Sequence, residues 1–281
     1  MSSSNPIQRL VSYALPGTFI LTSAICHVQT AIFHPGLLFG HFARYKEKAF
    51  ATVWAIGGVI CARDTPAPLG PILAQSKGVI LDVGPGAGHQ LFRFSNPQGI
   101  EAIYGAEPGV SMHAALKKRA EHAGLGDKYH VLSCEAKLDS LVPALAKAGV
   151  IKASDNQGRG ENAPFDEIVC IRVLCGVPDL DEVIEGLYSI LKPGGRMVVC
   201  EHVINSGDST KGGTAVGRSM QKLYMWIGWS SFMGGCELTR DTLSSLHRAA
   251  ERDGGWDKVD VELCDPYSTI PHIVGTLVKK R

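Results

Sequence analysis

The chain has 281 residues, of which 45% are hydrophobic and 20% are charged, a balance that is typical of a globular protein and excludes wholesale disorder. With 28 basic and 27 acidic residues the formal net charge is +1, so the basic excess of a nucleic-acid binder is missing and we expect no nucleic-acid partner. The eight cysteines form no CxxC pair, and the spacing therefore predicts neither a metal site nor a redox dithiol. Cys170 and Cys200 lie in apolar runs that indicate buried strands, which favours a reducing, intracellular compartment.

The N-terminal part is an apolar arm. No Lys, Arg, Asp or Glu occurs between Arg9 and Arg44, and residues 10–33 are long and apolar enough to be a membrane-segment candidate. Pro16-Gly17 is expected to interrupt this run early, and the short basic region before it does not fit a cleaved signal peptide. Two interpretations stay open: contact with a membrane through residues 10–42, and a helix that packs on the next domain or covers its pocket.

Downstream of the arm, strand and helix signals alternate, which predicts parallel βα units in an α/β domain. We therefore divide the chain into an arm with its connector, residues 1–75, and an α/β domain, residues 76–281. Strands are predicted at 79–83, 102–106, 129–132, 167–171 and 196–200, with helices at 111–123 and 180–191. The polar, turn-rich residues 152–164 predict an exposed loop.

The strongest motif follows the first predicted strand, where residues 82–88 read DVGPGAG. Its glycines let the backbone turn tightly and approach a ligand, and the free N–H groups of a following helix would face that ligand. The G-x-G-x-G spacing lacks the last glycine of the dinucleotide pattern G-x-G-x-x-G. Asp82 would also crowd a pyrophosphate, whereas it can accept hydrogen bonds from an amino-acid moiety. The predicted cofactor contacts of this loop are Asp82, Gly84, Pro85, Gly86 and Gly88; a purely structural turn is the alternative.

The ends of the next two strands supply further cofactor candidates, because ligands of open α/β sheets bind at the carboxyl ends of the strands. Glu107, with Pro108 after it, lies about 20 positions beyond the glycine loop, where nucleotide folds grip a ribose diol. Glu135 and Ala136 follow the third strand, where an adenine edge is commonly bound. An exposed glutamate without a ligand is the alternative for Glu107.

The fourth and fifth strands end in residues that should face the acceptor. Arg172 and Val173 close the fourth strand and are expected to line the site, with Arg172 facing either the cofactor or solvent. His202 ends the fifth strand and would bring a titratable imidazole near the acceptor, able to remove a proton. A hydrogen-bonded structural histidine is the alternative. The Met- and aromatic-rich residues 213–236 suit either the wall of an apolar pocket or core packing.

Six segments together resemble a known family. They are residues 81–88, 173–177, 191–195, 201–203, 235–240 and 271–275, and the most specific are the last two, GCELTR and PHIVG. They are similar to class I S-adenosylmethionine-dependent methyltransferases, above all to the methyltransferase-11 type domain of the membrane-associated thiol methyltransferases and their fungal-type small-molecule relatives. The resemblance covers most of the chain from about residue 76, and more faintly the apolar arm.

The resemblance implies a Rossmann-like, seven-stranded, mostly parallel sheet with helices on both faces, behind an apolar N-terminal helical arm. The last two strands should form a hairpin of residues 258–263 with 273–279. S-adenosylmethionine is the implied cofactor, held by Asp82, Gly84, Gly86 and Glu107. Family members often carry an aspartate at the position of Ala136, so the adenine contact is expected to shift to Glu135.

The expected reaction is methyl transfer to a thiol or hydroxyl of a small lipophilic molecule, in secondary metabolism or detoxification. A thiol acceptor needs little help, because its thiolate is accessible near neutral pH. A hydroxyl acceptor needs a base, for which His202 is the first candidate and His272 the second. The alternatives are a cyclase that binds the cofactor without transferring its methyl group and a membrane-bound scaffold without catalysis. The expected location is the cytosol or the cytosolic face of an internal membrane; the oligomeric state stays open.

Overall fold

A computed structural model of the protein describes residues 5–151 and 160–281, so most of the loop predicted at 152–164 lies outside the described residues. The described strands are β1 (Gly78–Val83), β2 (Ile100–Ala106), β3 (Tyr129–Leu132), β4 (Phe165–Ile171), β5 (Leu191–His202), β6 (Lys258–Cys264) and β7 (His272–Val278). They form one sheet in the order β3-β2-β1-β4-β5-β7-β6. The first five strands run parallel to one another, and β7 runs antiparallel to its neighbours β5 and β6. The predicted seven-stranded sheet with a C-terminal hairpin is thus confirmed.

Helices cover both faces of this sheet. The described helices are α1 (Pro6–Phe33), α2 (Pro35–Gly40), α3 (Phe42–Arg63), α4 (Leu69–Leu73), α5 (His113–His122), α6 (Leu138–Lys147), α7 (Leu180–Ile190), α8 (Ala215–Ile227), α9 (Trp229–Phe232) and α10 (Thr242–Ala249). Alternate residues of β1 point to opposite faces, as in any strand. Leu81 packs with α6, α7 and α10, whereas Ile80 packs with α4 and α5.

The predicted interruption of the arm at Pro16-Gly17 is wrong, because α1 continues through both residues as one helix of 28 residues. Pro16 cannot donate its backbone hydrogen bond, which normally weakens a helix interior. Tertiary contacts compensate here. The Tyr224 hydroxyl donates to the carbonyl of Tyr13 at 3.0 Å, and the Tyr224 ring lies directly against Gly17.

Within the described residues, α1 is long and apolar enough to cross a membrane, by length and composition alone. Its most apolar window has a mean hydropathy of 1.4, and only 17% of that window is buried. A helix in the core of a globular domain would be mostly buried, so the apolar character of α1 is not explained by packing inside this chain.

Candidate functional site

The carboxyl ends of the parallel strands open into a cavity of about 790 Å³. It lies where the strand order reverses between β1 and β4, the usual ligand position in open α/β sheets, and its volume falls within the roughly 300–1,000 Å³ of small-molecule sites. The predicted site residues that line it are Gly84, Gly86, Glu107, Pro108, Glu135, Ala136, Arg172, Val173, His202 and His272. Asp82, Pro85 and Gly88 instead border a small cavity of about 30 Å³ next to the glycine loop.

At each of the three glycines of the loop, Gly84, Gly86 and Gly88, a Cβ would collide with a neighbouring side chain. Gly84 and Gly86 both have a φ of +59°, a left-handed conformation that favours glycine. A Cβ on Gly84 would collide with the Val173 side chain, and one on Gly86 would lie 2.7 Å from Nε1 of Trp54. Trp54 belongs to α3, so the arm reaches over the loop.

Glu107 is buried at the end of β2, with 5% of its surface exposed. Its Oε2 accepts the backbone N–H of Gly86 at 2.8 Å, and its Oε1 accepts that of Gly109 at 2.7 Å. Burial raises the pKa of this carboxyl, and the two N–H donors oppose the increase. Each carboxylate oxygen has a second lone pair, so Glu107 can still accept hydrogen bonds from a ligand diol.

Asp82 supports the loop from β1. Its Oδ2 accepts a hydrogen bond from the Tyr129 hydroxyl at 2.8 Å. Burial raises the pKa of Asp82 to about 7, although the Tyr129 bond lowers it, and the nearby Glu107 adds a smaller increase. The carboxyl therefore stands behind the glycine loop, bonded within the protein, rather than on the wall of the main cavity.

Glu135 and Ala136 line the cavity after β3. The backbone N–H of Glu135 already donates to Oγ of Ser140 at 3.1 Å. The part of Glu135 that stays available to a ligand is therefore its side-chain carboxyl, whereas Ala136 offers only backbone groups and a methyl group.

Arg172 lines the cavity and is hydrogen-bonded within the protein. Its Nη1 donates to the carbonyl of Cys61 at 2.9 Å and to Oγ1 of Thr65 at 3.1 Å, and its Nε donates to Nε2 of His272 at 3.3 Å. Arg172 is also one of the described non-glycine residues with a positive φ, of 53°. Such backbone conformations cost about 1–3 kcal/mol and persist where surrounding contacts fix them. Arg172 thus joins the end of α3 to the strand ends.

His202 and His272 lie side by side, with ring centroids 4.7 Å apart in an edge-to-face arrangement. Burial, and after it the Arg172 charge, lower the pKa of His272 to about 3. Burial holds the pKa of His202 well below its ordinary value, and electrostatic repulsion by His272 and Arg172 adds smaller decreases. Both imidazoles are therefore neutral at physiological pH, and the lowered pKa makes each a weaker base than an exposed imidazole.

Two cysteines complete this wall, and reasoning from the sequence assigned them no role. Sγ of Cys236 lies 3.5 Å from Nδ1 of His202, and with Sγ of Cys175 the three atoms lie within 4.8 Å of one another. The cysteines belong to distant segments of the chain, so no spacing motif reveals them. The available signal was that both occur in segments that carry the family resemblance, 173–177 and 235–240.

The remaining wall is apolar and comes largely from the arm. Its side chains include Val11, Leu15 and Phe19 of α1, and Phe50 and Trp54 of α3. From the Met- and aromatic-rich stretch, Trp229 and Met233 line the cavity, whereas Trp226 is 83% exposed and lies outside the wall. The buried indole N–H of Trp229 has no hydrogen-bond partner among the described residues.

Comparison with curated proteins finds thiol S-methyltransferases. The chain is 27% identical over 134 residues to thiol S-methyltransferase TMT1B of Rattus norvegicus and 27% identical over 139 residues to TMT1A of Homo sapiens. Each match covers 46% of this chain and 50% of the relative, so the chain spans about half the length of the curated relatives it matches.

Among solved structures, an O-methyltransferase family 2 protein of Planctomyces limnophilus in complex with apigenin is similar with a TM-score of 0.51. It is 18% identical, and the match covers 86% of this chain and 66% of that chain. A likeness at this identity shows a shared fold.

A family model described as a methyltransferase domain matches residues 60–255, well over half of the chain. The matched residues include the glycine loop, Glu107, Arg172, His202 and both cysteines of the cavity wall. The chain therefore belongs to this family of methyltransferase domains.

Proposed function

We propose that the chain transfers a methyl group from S-adenosylmethionine to a thiol or hydroxyl of a small lipophilic molecule, in detoxification or secondary metabolism. One observation carries the proposal: the same cavity is lined by the glycine loop with Glu107, by a polar wall that contains His202, and by apolar side chains of the arm. The thiol S-methyltransferases among its relatives favour a thiol acceptor.

The cofactor implied by the family fits the residues present. Gly84 and Gly86 line the cavity without side chains, so a ligand can approach their backbone closely, and the free lone pairs of Glu107 suit a ribose diol. Glu135 and Ala136 are available for the adenine edge. When bound, S-adenosylmethionine supplies an electrophilic methyl group on its sulfonium sulfur.

The protein's own part is mainly to orient the acceptor. Alignment of two reactants can lower the activation free energy by about 7–11 kcal/mol. The apolar wall binds the lipophilic body of the acceptor and excludes water. For a hydroxyl acceptor, His202 is better placed as the base than His272. Nε2 of His272 already accepts from Arg172 at 3.3 Å, and a second bond joins His272 to the backbone of Ile270.

We also propose that α1 lies in the plane of a membrane at the cytosolic face. Its exposed face carries Leu21, Ile25, Val28 and Ile32, each at least 60% exposed. Its buried face carries small and polar residues, namely Pro16, Ser23, Cys26 and Thr30. A helix of a soluble protein shows the opposite arrangement, whereas an in-plane helix places its apolar face in the bilayer.

Contacts of α1 with α9 and with α3 favour the in-plane arrangement over a spanning one. Oγ of Ser23 donates to the carbonyl of Phe232 at 2.7 Å, and the Tyr45 hydroxyl donates to the carbonyl of His27 at 2.9 Å. A spanning helix would lose these bonds. Val11 lines the cavity and is also 59% exposed, so an acceptor dissolved in lipid would enter beside α1.

The test is calorimetric titration of the full chain with S-adenosylmethionine and S-adenosylhomocysteine, followed by an assay of S-adenosylhomocysteine release with thiols and phenols. We expect both ligands to bind, and release to require an acceptor. Binding without release for any acceptor would favour the cyclase alternative, and a folded chain that binds neither ligand would refute the proposal.

A further inference from the structure

Three potential metal ligands meet at the cavity wall. Cys175 follows β4, His202 ends β5, and Cys236 follows α9. Their ligand atoms, two Sγ atoms and one imidazole nitrogen, all lie within 4.8 Å of one another. No other such cluster of three His, Cys, Asp or Glu side chains occurs within residues 5–151 and 160–281. Cys175 and Cys236 are 2% and 7% exposed, so the site is shielded from bulk solvent.

We propose that Cys175, His202 and Cys236 bind Zn²⁺, with a fourth coordination position open to the cavity. Two thiolates and one imidazole form a soft donor set that zinc prefers. Three protein ligands with one open position is the arrangement of catalytic zinc sites. Resting on the proposed function, we further propose that the open position takes the sulfur of a thiol acceptor.

The distances suit tetrahedral zinc. Bonds of about 2.3 Å to sulfur and 2.0–2.1 Å to nitrogen place a sulfur and a nitrogen ligand about 3.6 Å apart. Sγ of Cys236 and Nδ1 of His202 are 3.5 Å apart. Two sulfur ligands should lie about 3.8 Å apart, within the 4.8 Å limit of the cluster.

The segments that carry the two cysteines are bonded to each other. The backbone N–H of Glu237 donates to the carbonyl of Cys175 at 2.8 Å. Nη1 of Arg240 donates to the carbonyls of Leu174 at 2.7 Å and Val177 at 2.6 Å. These contacts join the residues next to one ligand to the residues next to the other, so the ligand positions are set by the fold.

Glu201, the residue before the histidine ligand, also fixes the position of Cys175. The Glu201 carboxylate accepts the backbone N–H groups of Val173, Leu174 and Cys175, at 3.0, 3.1 and 3.4 Å. Glu201 is fully buried. Because Glu201 and His202 are adjacent in β5, one strand end both supplies a ligand and holds the turn that carries Cys175.

The nearest imidazole, that of His272, does not occupy the fourth coordination position, because its ring is already hydrogen-bonded. Nε2 of His272 accepts from Nε of Arg172 at 3.3 Å, and His272 is also bonded to the backbone of Ile270. Cys175, His202 and Cys236 all line the main cavity. A ligand in that cavity can therefore reach the open position.

The reaction balances with zinc in this place. The acceptor thiol displaces water, releases its proton to solvent and binds as a thiolate, because a coordinated thiol is deprotonated. A sulfur lone pair forms the new S–CH₃ bond as the bond between the methyl group and the sulfonium sulfur breaks. The products are a methyl thioether, S-adenosylhomocysteine and one proton, and the neutral thioether leaves the metal.

The experiment measures metal binding without activity. The reduced full chain is freed of metal with a chelator and titrated with Zn²⁺ against a chromophoric competitor, and with Co²⁺ to observe thiolate-to-cobalt charge transfer. Cys175→Ser and Cys236→Ser are compared with Cys264→Ser, whose half-buried thiol lies on β6 outside the cluster. Each protein is also titrated with S-adenosylhomocysteine.

We expect about one Zn²⁺ per chain and a cobalt–thiolate band in the wild type and in Cys264→Ser. Loss of a residue that is hydrogen-bonded to a metal ligand lowers metal affinity by roughly 10- to 100-fold. Each cluster variant loses a ligand itself, so its Zn²⁺ affinity should fall by more than this. S-adenosylhomocysteine affinity should stay unchanged in all variants. Removal of zinc should lower turnover of thiols, and its return should restore it.

A wild type without zinc or a cobalt–thiolate band would overturn the metal site, as would unchanged metal affinity in both cluster variants. A Cys175–Cys236 disulfide in protein trapped directly from cells would overturn it in favour of a redox pair. S-adenosylhomocysteine binding without zinc would remove this inference and leave the proposed function intact. Zinc binding without S-adenosylhomocysteine binding would refute the proposed function and leave the metal site intact.

Discussion

The Glu107 carboxylate accepts the backbone N–H of Gly86 at 2.8 Å, so a side chain at the end of β2 fixes the loop that follows β1. Its other oxygen holds the N–H of Gly109 at 2.7 Å. The conformation of the loop is therefore fixed by the same carboxylate that we propose binds the ribose diol.

Glu107→Gln should weaken S-adenosylhomocysteine binding by roughly 10- to 100-fold, about 1.5–3 kcal/mol for a lost charged hydrogen bond. The amide keeps one acceptor oxygen and turns an NH₂ group toward one of the two backbone donors. The measurement is isothermal titration calorimetry. Glu101→Gln is the matched control, because Glu101 lies on the same strand and is exposed. Equal affinity in both variants would contradict the role of Glu107.

Gly86→Ala should lose cofactor affinity, whereas Gly124→Ala should not. Both glycines have positive φ, +59° and +72°, so each substitution should cost about 1–2 kcal/mol of stability from the backbone alone. Only the new Cβ at Gly86 meets a neighbour, Nε1 of Trp54 at 2.7 Å, and Gly124 faces open space.

Denaturant unfolding and S-adenosylhomocysteine titration of both glycine variants separate these two effects. Gly86→Ala should lose at least as much stability as Gly124→Ala, because its Cβ also meets Trp54, and Gly86→Ala alone should lose affinity. If Gly124→Ala weakened binding as much, general destabilisation would explain the result and the position of the cofactor would lose its support.

The sheet and the cofactor loop were predictable because their signals are local. A buried strand such as β1 is an uninterrupted apolar run, and the glycines of the loop follow it at once. The number of strands and the final hairpin came from the family resemblance, whereas the strand order was not predicted, since spacing alone does not fix which strands pair.

The rest depends on contacts between distant residues. Cys175 and Cys236 meet only after the segment that follows α9 has folded back against the end of β4. The same holds for the arm, since Tyr224 of α8 supports α1 at Pro16. Local propensity predicted a break there, and tertiary packing outweighed it.

The membrane proposal predicts that Ile25→Gln combined with Val28→Gln reduces binding to vesicles. Both side chains are 60% exposed on α1, and burial of such a side chain in an apolar phase contributes about 1.5–3 kcal/mol. Glutamine is a good helix former, so α1 should persist. Flotation with anionic phospholipid vesicles should show a fall of about 10-fold or more in the bound fraction.

The matched control for the membrane variant is Val259→Gln with Leu263→Gln on β6, where both side chains are also exposed, at 42% and 45%. This control should float like the wild type. A wild type that stays with the soluble fraction would refute the membrane contact, and equal losses in both double variants would show that general hydrophobicity, not α1, drives binding.

Asp82 should make the protein less stable as the pH rises toward neutrality. Burial raises the pKa of its carboxyl from 3.8 to about 7, so between pH ~4 and ~7 the native state holds a proton that the unfolded chain has lost. The free energy of unfolding therefore falls across this range and levels off above pH ~7, with Asp82 contributing on the order of 4 kcal/mol.

Urea unfolding of the wild type and Asp82→Asn at a series of pH values isolates this component in the difference between the two curves. Asp127→Asn, at an exposed position, should follow the wild type. Parallel curves for the wild type and Asp82→Asn would mean that the Tyr129 hydrogen bond keeps the Asp82 carboxylate ionised in the folded state.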